Sequence, residues 1–198
     1  MAPGRRRHRR GPGSRRPGLG RRPARRRRPA GGGDGPIKHE GDGRAPAGAF
    51  RLLRAFGYDP RPPAGTSLPY RQVDDGWRCV DDPASRRYNQ VLDARDVAVD
   101  WTSAEEMRRD DDLYRRLIEV DHNHASHGDD EAAPRPGGGS CIFLHVWRDA
   151  DGVTAGCTAM PLADLEDLIG WLRPGAIYVL LPATERAALA AAWHLPAS

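Results

Sequence analysis

From residue 37 onward the apolar positions come in short clusters separated by turn chemistry, and helical three-to-four spacing is confined to a few places. Gly41-Asp42-Gly43 and Ala45-Pro46-Ala47-Gly48 are turn sequences, and Ala49 to Phe56 reads as a strand running up to Gly57. A proline-rich loop, Pro60 to Pro69, follows. Trp77-Arg78-Cys79-Val80 is a short strand that Asp81-Asp82-Pro83 would end. Leu117 to Val120 is another. The densest apolar run is Cys141 to Trp147, bounded by Gly137-Gly138-Gly139 before it and Asp149-Ala150-Asp151-Gly152 after it. This predicts a buried strand. Val153 to Met160 is expected to run back from that turn as its antiparallel neighbour, and Ile177 to Leu181 is the last strand.

Three helices are predicted. Ser103 followed by Glu106 has the capping-box spacing, which places a helix from Ser103 to about Arg116 with Met107 and Tyr114 on one face. Pro161 opens a second, carrying Leu162, Leu165, Leu168, Ile169 and Leu172 on one stripe and stopped by Arg173-Pro174-Gly175. An alanine-rich third starts at Thr184. Many short strands with few helices, lacking regular strand-helix alternation, predict a β-rich α+β sandwich over a doubly wound sheet.

Charge divides the 198-residue chain in two. Its formal net charge is +4, yet residues 1–28 hold thirteen arginines and no acid, so the rest is acidic, with 27 Asp and Glu against 18 basic residues. Residues 1–36 are mostly Arg, Gly and Pro, types that bury little apolar surface, and are expected to form a disordered tail. Residues 37–198 are expected to form one domain. The tail reads either as a polybasic arm or as the product of an arginine-biased coding sequence with a misplaced start. The acidic domain argues against nucleic acid as a partner. No run reaches the roughly 18 apolar residues of a membrane span, and the start of the chain lacks the apolar segment of a secretory signal.

Three cysteines, Cys79, Cys141 and Cys157, are too few and too scattered for a disulfide scaffold or a structural zinc site, and an odd count leaves at least one thiol free or bonded to another chain. If the strands around residues 150 to 152 form a hairpin, His145 faces residues 156 to 158, within the roughly 4.5 to 5.5 Å of directly opposed Cβ atoms. Cys141 lies four positions from His145 on the same strand, roughly 13 Å away. Cys157 is therefore the candidate nucleophile. A neighbouring imidazole takes a thiol's proton or lowers its pKa, giving a thiolate. Gly156 permits a tight backbone beside the thiol, and the amides of Cys157 and Thr158 are candidates to face an oxyanion. The alternative is a small buried cysteine beside a satisfied core histidine.

The stretch Gly139-Ser140-Cys141-Ile142-Phe143-Leu144-His145-Val146, followed by Thr154-Ala155-Gly156-Cys157, resembles the His … Ser/Thr-x-Gly-Cys signature of the L,D-transpeptidase catalytic domains, the YkuD-like family. Lys38-His39-Glu40-Gly41-Asp42-Gly43-Arg44-Ala45-Pro46-Ala47-Gly48 resembles the family's K-x-E-G-D-G-x-x-P-x-G stretch, and Asp82-Pro83-Ala84-Ser85-Arg86-Arg87-Tyr88-Asn89 its D-P-x-S-x-x-Y-N stretch. The resemblance implies a YkuD-like β-sandwich with a few helices and a periplasmic or cell-wall enzyme acting on peptidoglycan stem peptides. It also implies Cys157 as nucleophile, His145 as general base, Thr154 and Gly156 as site-shaping positions, no metal or cofactor, and susceptibility to carbapenem-type β-lactams. The chain departs from many members in having no arginine two residues after the thiol, where Ala159 stands. An L,D-carboxypeptidase, or a non-catalytic module binding cell wall or polyanion, are the competing readings.

One further cluster invites a metal reading. His122-Asn123-His124-Ala125-Ser126-His127, with Asp129, Asp130 and Glu131 after it, would place His122 and His124 on one face if extended, but the spacing matches no known zinc type.

Overall fold

A computed structural model describes residues 37–124 and 133–195. The predicted tail, and His127 to Glu131 of the histidine cluster, lie outside the described residues. The main sheet is built on β1 (Gly48–Gly57), whose two halves have different neighbours. Its first half pairs antiparallel with β9 (Ile177–Leu180), and its second half pairs parallel with β2 (Tyr70–Gln72) and antiparallel with β6 (Arg116–Val120). Beyond β6 lie β7 (Phe143–Val146) and β8 (Thr158–Met160). A separate three-stranded sheet holds β3 (Trp77–Cys79) between β4 (Val91–Asp93) and β5 (Glu105–Glu106).

Both faces of the central strands are covered, which is why β6 and β7 are buried along their whole length. Alternation along each strand sends side chains to opposite faces. Ile118, Val120, Leu144 and Val146 pack under Leu165, Ile169 and Leu172 at helix α1 (Leu162–Trp171). Leu117 and Phe143 point the other way, into a second core with Phe56, Val73, Val91 and Met107 beneath the small sheet. Burying each large side chain of this kind contributes about 1.5 to 3 kcal/mol. Arg116, itself buried, fastens the first layer by pairing with Glu166 of α1 at 2.9 Å and with Asp59 at 2.7 Å. A second helix, α2 (Ala183–Trp193), follows β9. The β-rich sandwich with few helices is the architecture that the apolar pattern predicts.

Three expectations are corrected. The predicted helix from Ser103 to Arg116 does not form. Glu105 and Glu106 instead pair with Cys79 and Arg78, Met107 N–H donates to Trp77 O at 3.1 Å, and turns follow in which Asp111 accepts from the Leu113 amide. Aspartates that bond nearby amides compete with helical hydrogen bonding, and three stand consecutively here. Met107 and Tyr114 are nonetheless both buried, as separate plugs in the second core.

The predicted hairpin is also corrected. β7 and β8 are parallel, with Leu144 opposite Thr158, His145 opposite Ala159 and Val146 opposite Met160. The turn at Asp149 to Gly152 exists, closed by Gly152 N–H to Asp149 O at 3.2 Å. The chain after it does not pair. Val153 is almost wholly exposed, and a second reversal at Thr154 to Gly156 brings the chain back alongside β7 in the same direction.

Finally, two of the scattered cysteines are bonded. A Cys79–Cys141 disulfide links β3 to the segment entering β7 across 62 residues, and Cys157 is the free thiol. A loop of that size closed in the unfolded chain stabilises by about 4 kcal/mol. Sequence spacing gave no sign of the pair, because its two halves meet only when the small sheet closes over the main one.

Candidate active site

The parallel register places Cys157 and His145 on one face of the sheet. Cys157 immediately precedes β8 and sits beside Phe143, whose amide donates to its sulfur at 3.4 Å. His145 lies two residues further along β7, about 7 Å on, with its side chain on the Phe143 face. Both therefore face the second core and the small sheet. The thiol of Cys157 donates to Cys141 O at 3.5 Å. The His145 Nδ1 is 2.7 Å from its neighbour's carbonyl, Val146 O, which makes Nδ1 the protonated nitrogen and leaves Nε2 as the basic one. No hydrogen bond joins the two side chains in this state, among the described residues.

Burial sets the resting protonation. It pushes the Cys157 thiol up to about 12, against the Phe143 amide, which favours the thiolate. It pushes the His145 imidazole below its ordinary value, against the Val146 carbonyl, which favours the charged form. A neutral thiol and a neutral imidazole result, the starting pair for proton transfer coupled to attack on a bound carbonyl.

Thr154 and Gly156 shape the turn before the thiol. Thr154 Oγ1 donates to Cys157 O at 2.7 Å and accepts from the Gly156 amide at 3.3 Å, closing the turn on itself. Gly156 has φ 144°, and a Cβ there would stand 2.8 Å from Arg44 O. Only glycine suits both constraints. Thr158 begins β8, and its hydroxyl bonds the Tyr178 hydroxyl of β9 at 2.7 Å.

The other sequence motifs converge on this place. Glu40 accepts from the Tyr88 hydroxyl at 2.6 Å and the Ser140 hydroxyl at 2.8 Å, joining three of them at one carboxylate. Asp42 braces its own turn, accepting from Lys38 Nζ at 2.6 Å and from the His39 and Arg44 amides. Although burial pushes its pKa up, those donors hold the carboxyl far below the usual carboxylate range. Asn89 Oδ1 accepts from the Cys141 amide at 2.9 Å. Stretches spread over some 120 residues of sequence thus form one scaffold around a single thiol.

The family model described as YkuD, L,D-transpeptidase catalytic domain, matches residues 18–180. The chain belongs to that family. No curated protein and no solved structure matches it significantly. The family acts on peptidoglycan peptides and is typically associated with the cell wall, and no helix among the described residues is long and apolar enough to cross a membrane.

Residues that the sequence motifs did not single out also border the site. Tyr114 stacks edge-on against His145 and against Phe143, and its hydroxyl donates to Glu105 at 2.6 Å. Burial pushes Glu105 above the usual carboxylate range, despite the Tyr114 hydroxyl. The Arg109 guanidinium lies over the Tyr114 ring, 5.2 Å from its centroid, and a cavity of about 570 Å³ opens between Glu105, Arg109 and Asp111. The only sequence signal for these residues was the apolar pair Met107 and Tyr114. The two described histidines of the cluster take structural partners: His122 Nε2 bonds Gly138 O at 3.0 Å and His124 Nε2 bonds Glu119 at 3.0 Å.

Proposed function

We propose that the protein is a cysteine-dependent L,D-transpeptidase in which Cys157 is the nucleophile. The observation that carries this reading is the placement of the one free thiol and a neutral histidine on the same face of adjoining parallel strands, inside the scaffold formed by the family motifs. A stem-peptide carbonyl seated over the thiol would be attacked by sulfur as the thiol proton passes to His145 Nε2. The new carbon–sulfur bond gives a tetrahedral oxyanion, for which the Cys157 and Thr158 amides are the candidate donors. Collapse breaks the peptide bond, and the imidazolium returns its proton to the departing D-amino acid amine. An amine from a second stem peptide then displaces sulfur from the acyl-thioester. Thr154 and Gly156 hold the turn that presents the thiol. The catalytic domain on this reading is residues 37–198, with residues 1–36 as an appendage.

Intact-mass analysis with a carbapenem-type β-lactam tests the assignment. One covalent adduct per chain, mapped to Cys157 and lost in Cys157→Ala, is the expected result. No adduct on folded protein would overturn it and favour the binding-module reading. Incubation with a tetrapeptide stem, with and without an acceptor amine, separates the transpeptidase from an L,D-carboxypeptidase, which would release the D-amino acid to water alone.

A further inference from the structure

The Cys157 thiol is held by two backbone groups, one in the short segment entering β7 and one at the first residue of that strand. Cys141 O accepts the thiol proton at 3.5 Å, and Phe143 N–H donates to the sulfur at 3.4 Å. Cys141 has φ 54°, in the left-handed region that a residue bearing a Cβ disfavours. Its carbonyl direction therefore depends on whatever holds it there. Two constraints do so. One is the disulfide to Cys79, which sits at the end of the central strand of the small sheet, paired with Val91 on one side and Glu105 on the other. The second is Asn89, whose Oδ1 takes the Cys141 amide at 2.9 Å while its Nδ2 is fixed by His122 O at 2.9 Å and Asn123 O at 2.8 Å.

We propose that the Cys79–Cys141 disulfide positions the Cys157 thiol, so that the site is competent when the disulfide is formed and loses competence when it is reduced. A dithiol reductant supplies the two electrons and two protons: it leaves as its own cyclic disulfide, and Cys79 and Cys141 become thiols. Cys157 takes no part in that exchange. Without the cross-link, Cys141 relaxes toward an extended conformation, its peptide plane turns, and the carbonyl that meets the thiol moves away. The chain would then stay silent in a reducing compartment and become active where disulfides form. The proposal rests on the reading of Cys157 as nucleophile, and the disulfide is a positioning element that does not touch substrate.

Two double variants lacking the disulfide separate backbone conformation from simple loss of a cross-link. Asparagine tolerates the left-handed region and valine does not. In Cys79→Ser/Cys141→Asn, β-lactam acylation of Cys157 and the pH profile of its alkylation by iodoacetamide should stay near those of the oxidised protein. In Cys79→Ser/Cys141→Val the alkylation midpoint should move down from the oxidised protein's, and acylation should slow by roughly 10²-fold, the cost of a misplacement of about 1 Å. If either variant fails to fold, the wild-type protein reduced with dithiothreitol and then reoxidised still tests dependence on the cross-link, with circular dichroism confirming the fold and peptide mass isolating Cys157. Equal alkylation profiles for the oxidised wild type and either its reduced form or Cys79→Ser/Cys141→Val would overturn the proposal. So would equal acylation rates. A disulfide-dependent alkylation profile with no β-lactam adduct on the oxidised protein would leave the positioning intact and overturn the nucleophile reading instead.

Discussion

The ring of Tyr114 meets the His145 imidazole edge to face, with centroids 5.5 Å apart and planes inclined at 65°. The same tyrosine ties its hydroxyl to Glu105 and packs on Phe143, so one side chain connects the proposed base, the strand beside the thiol and a carboxyl that burial keeps uncomfortable as an anion.

Glu105 gives the clearest pH signature. Its folded pKa is raised, so the protonated carboxyl is the form the fold favours: that stability is complete below the ordinary carboxylate value and is lost as pH rises through the folded one. Glu105→Gln should therefore raise the urea midpoint at pH 7 and change it little at pH 4. A variant less stable than wild type at pH 7 would contradict the burial argument.

Tyr114→Phe keeps the ring against His145 and removes the donor to Glu105. At neutral pH it should cost about 1 to 3 kcal/mol, the usual penalty for leaving a buried acceptor unpaired. Added to Glu105→Gln, the same change should cost less. A double-mutant cycle by chemical denaturation checks the coupling, and strict additivity would count against it.

His145→Gln should slow acylation of Cys157 by roughly 10² to 10⁴-fold, the usual span for a general base, with the fold retained. Because burial lowers the His145 pKa, the neutral imidazole persists below pH 6.5, and the acid limb of the rate profile should lie under that of a free histidine. The sign for stability follows: the unfolded chain binds the proton more readily, so stability falls as pH drops through the ordinary histidine value. Stopped-flow acylation from pH 4 to 8 would show a limb at or above 6.5 if the imidazole were instead held charged.

Much of this arrangement is legible in the sequence, and the failures share one cause. The strands at Ala49 to Phe56, Trp77 to Val80, Leu117 to Val120 and Cys141 to Trp147, and the helix opened by Pro161, are local patterns, and they appear where the patterns place them. The thiol at Cys157 was separable from Cys141 by distance along one strand. Strand direction was not, because a turn such as Asp149 to Gly152 reports only that the chain bends, and the second reversal is written in the hydroxyl of Thr154 and the close approach of Gly156 to Arg44. The capping box at Ser103 failed similarly: local propensity lost to pairing with β3, which is remote in sequence. The disulfide and the Glu105–Tyr114 pair are wholly tertiary.

Glu119, buried between Arg54 and His124, is a structural ion-pair site. Burial pushes its carboxyl up, yet the His124 and Arg54 hydrogen bonds win and hold it below its ordinary value. Its contribution is present above the unfolded carboxylate pKa and is lost as pH falls through the folded one. Glu119→Ala removes the carboxylate that Arg54 and His124 share and should cost about 1.5 to 3 kcal/mol, measured as a urea midpoint at pH 7. A loss under 1 kcal/mol would show that solvent replaces the carboxylate.

Gly156→Ala sets a methyl group against the Arg44 carbonyl in a backbone conformation that L-residues avoid. A cost of about 1 to 3 kcal/mol in stability is expected. Acylation should fall with it, since the turn that presents Cys157 must shift. Normal acylation kinetics in a folded Gly156→Ala protein would show that the turn is not what aims the thiol.

The parallel pairing of β7 and β8 has one more effect. In a hairpin, inserting a residue in the turn would slide every position of one strand past the other and swap the faces of the side chains. Here the eleven residues from Trp147 to Cys157 leave one end of β7 and return to the other, so the register is fixed by the ladder and by the Thr154 turn, not by the length of the excursion. The exposed stretch around Val153 is thus free to lengthen, shorten or acquire new side chains while the thiol and the imidazole keep their places, so its sequence can drift without rebuilding the chemistry.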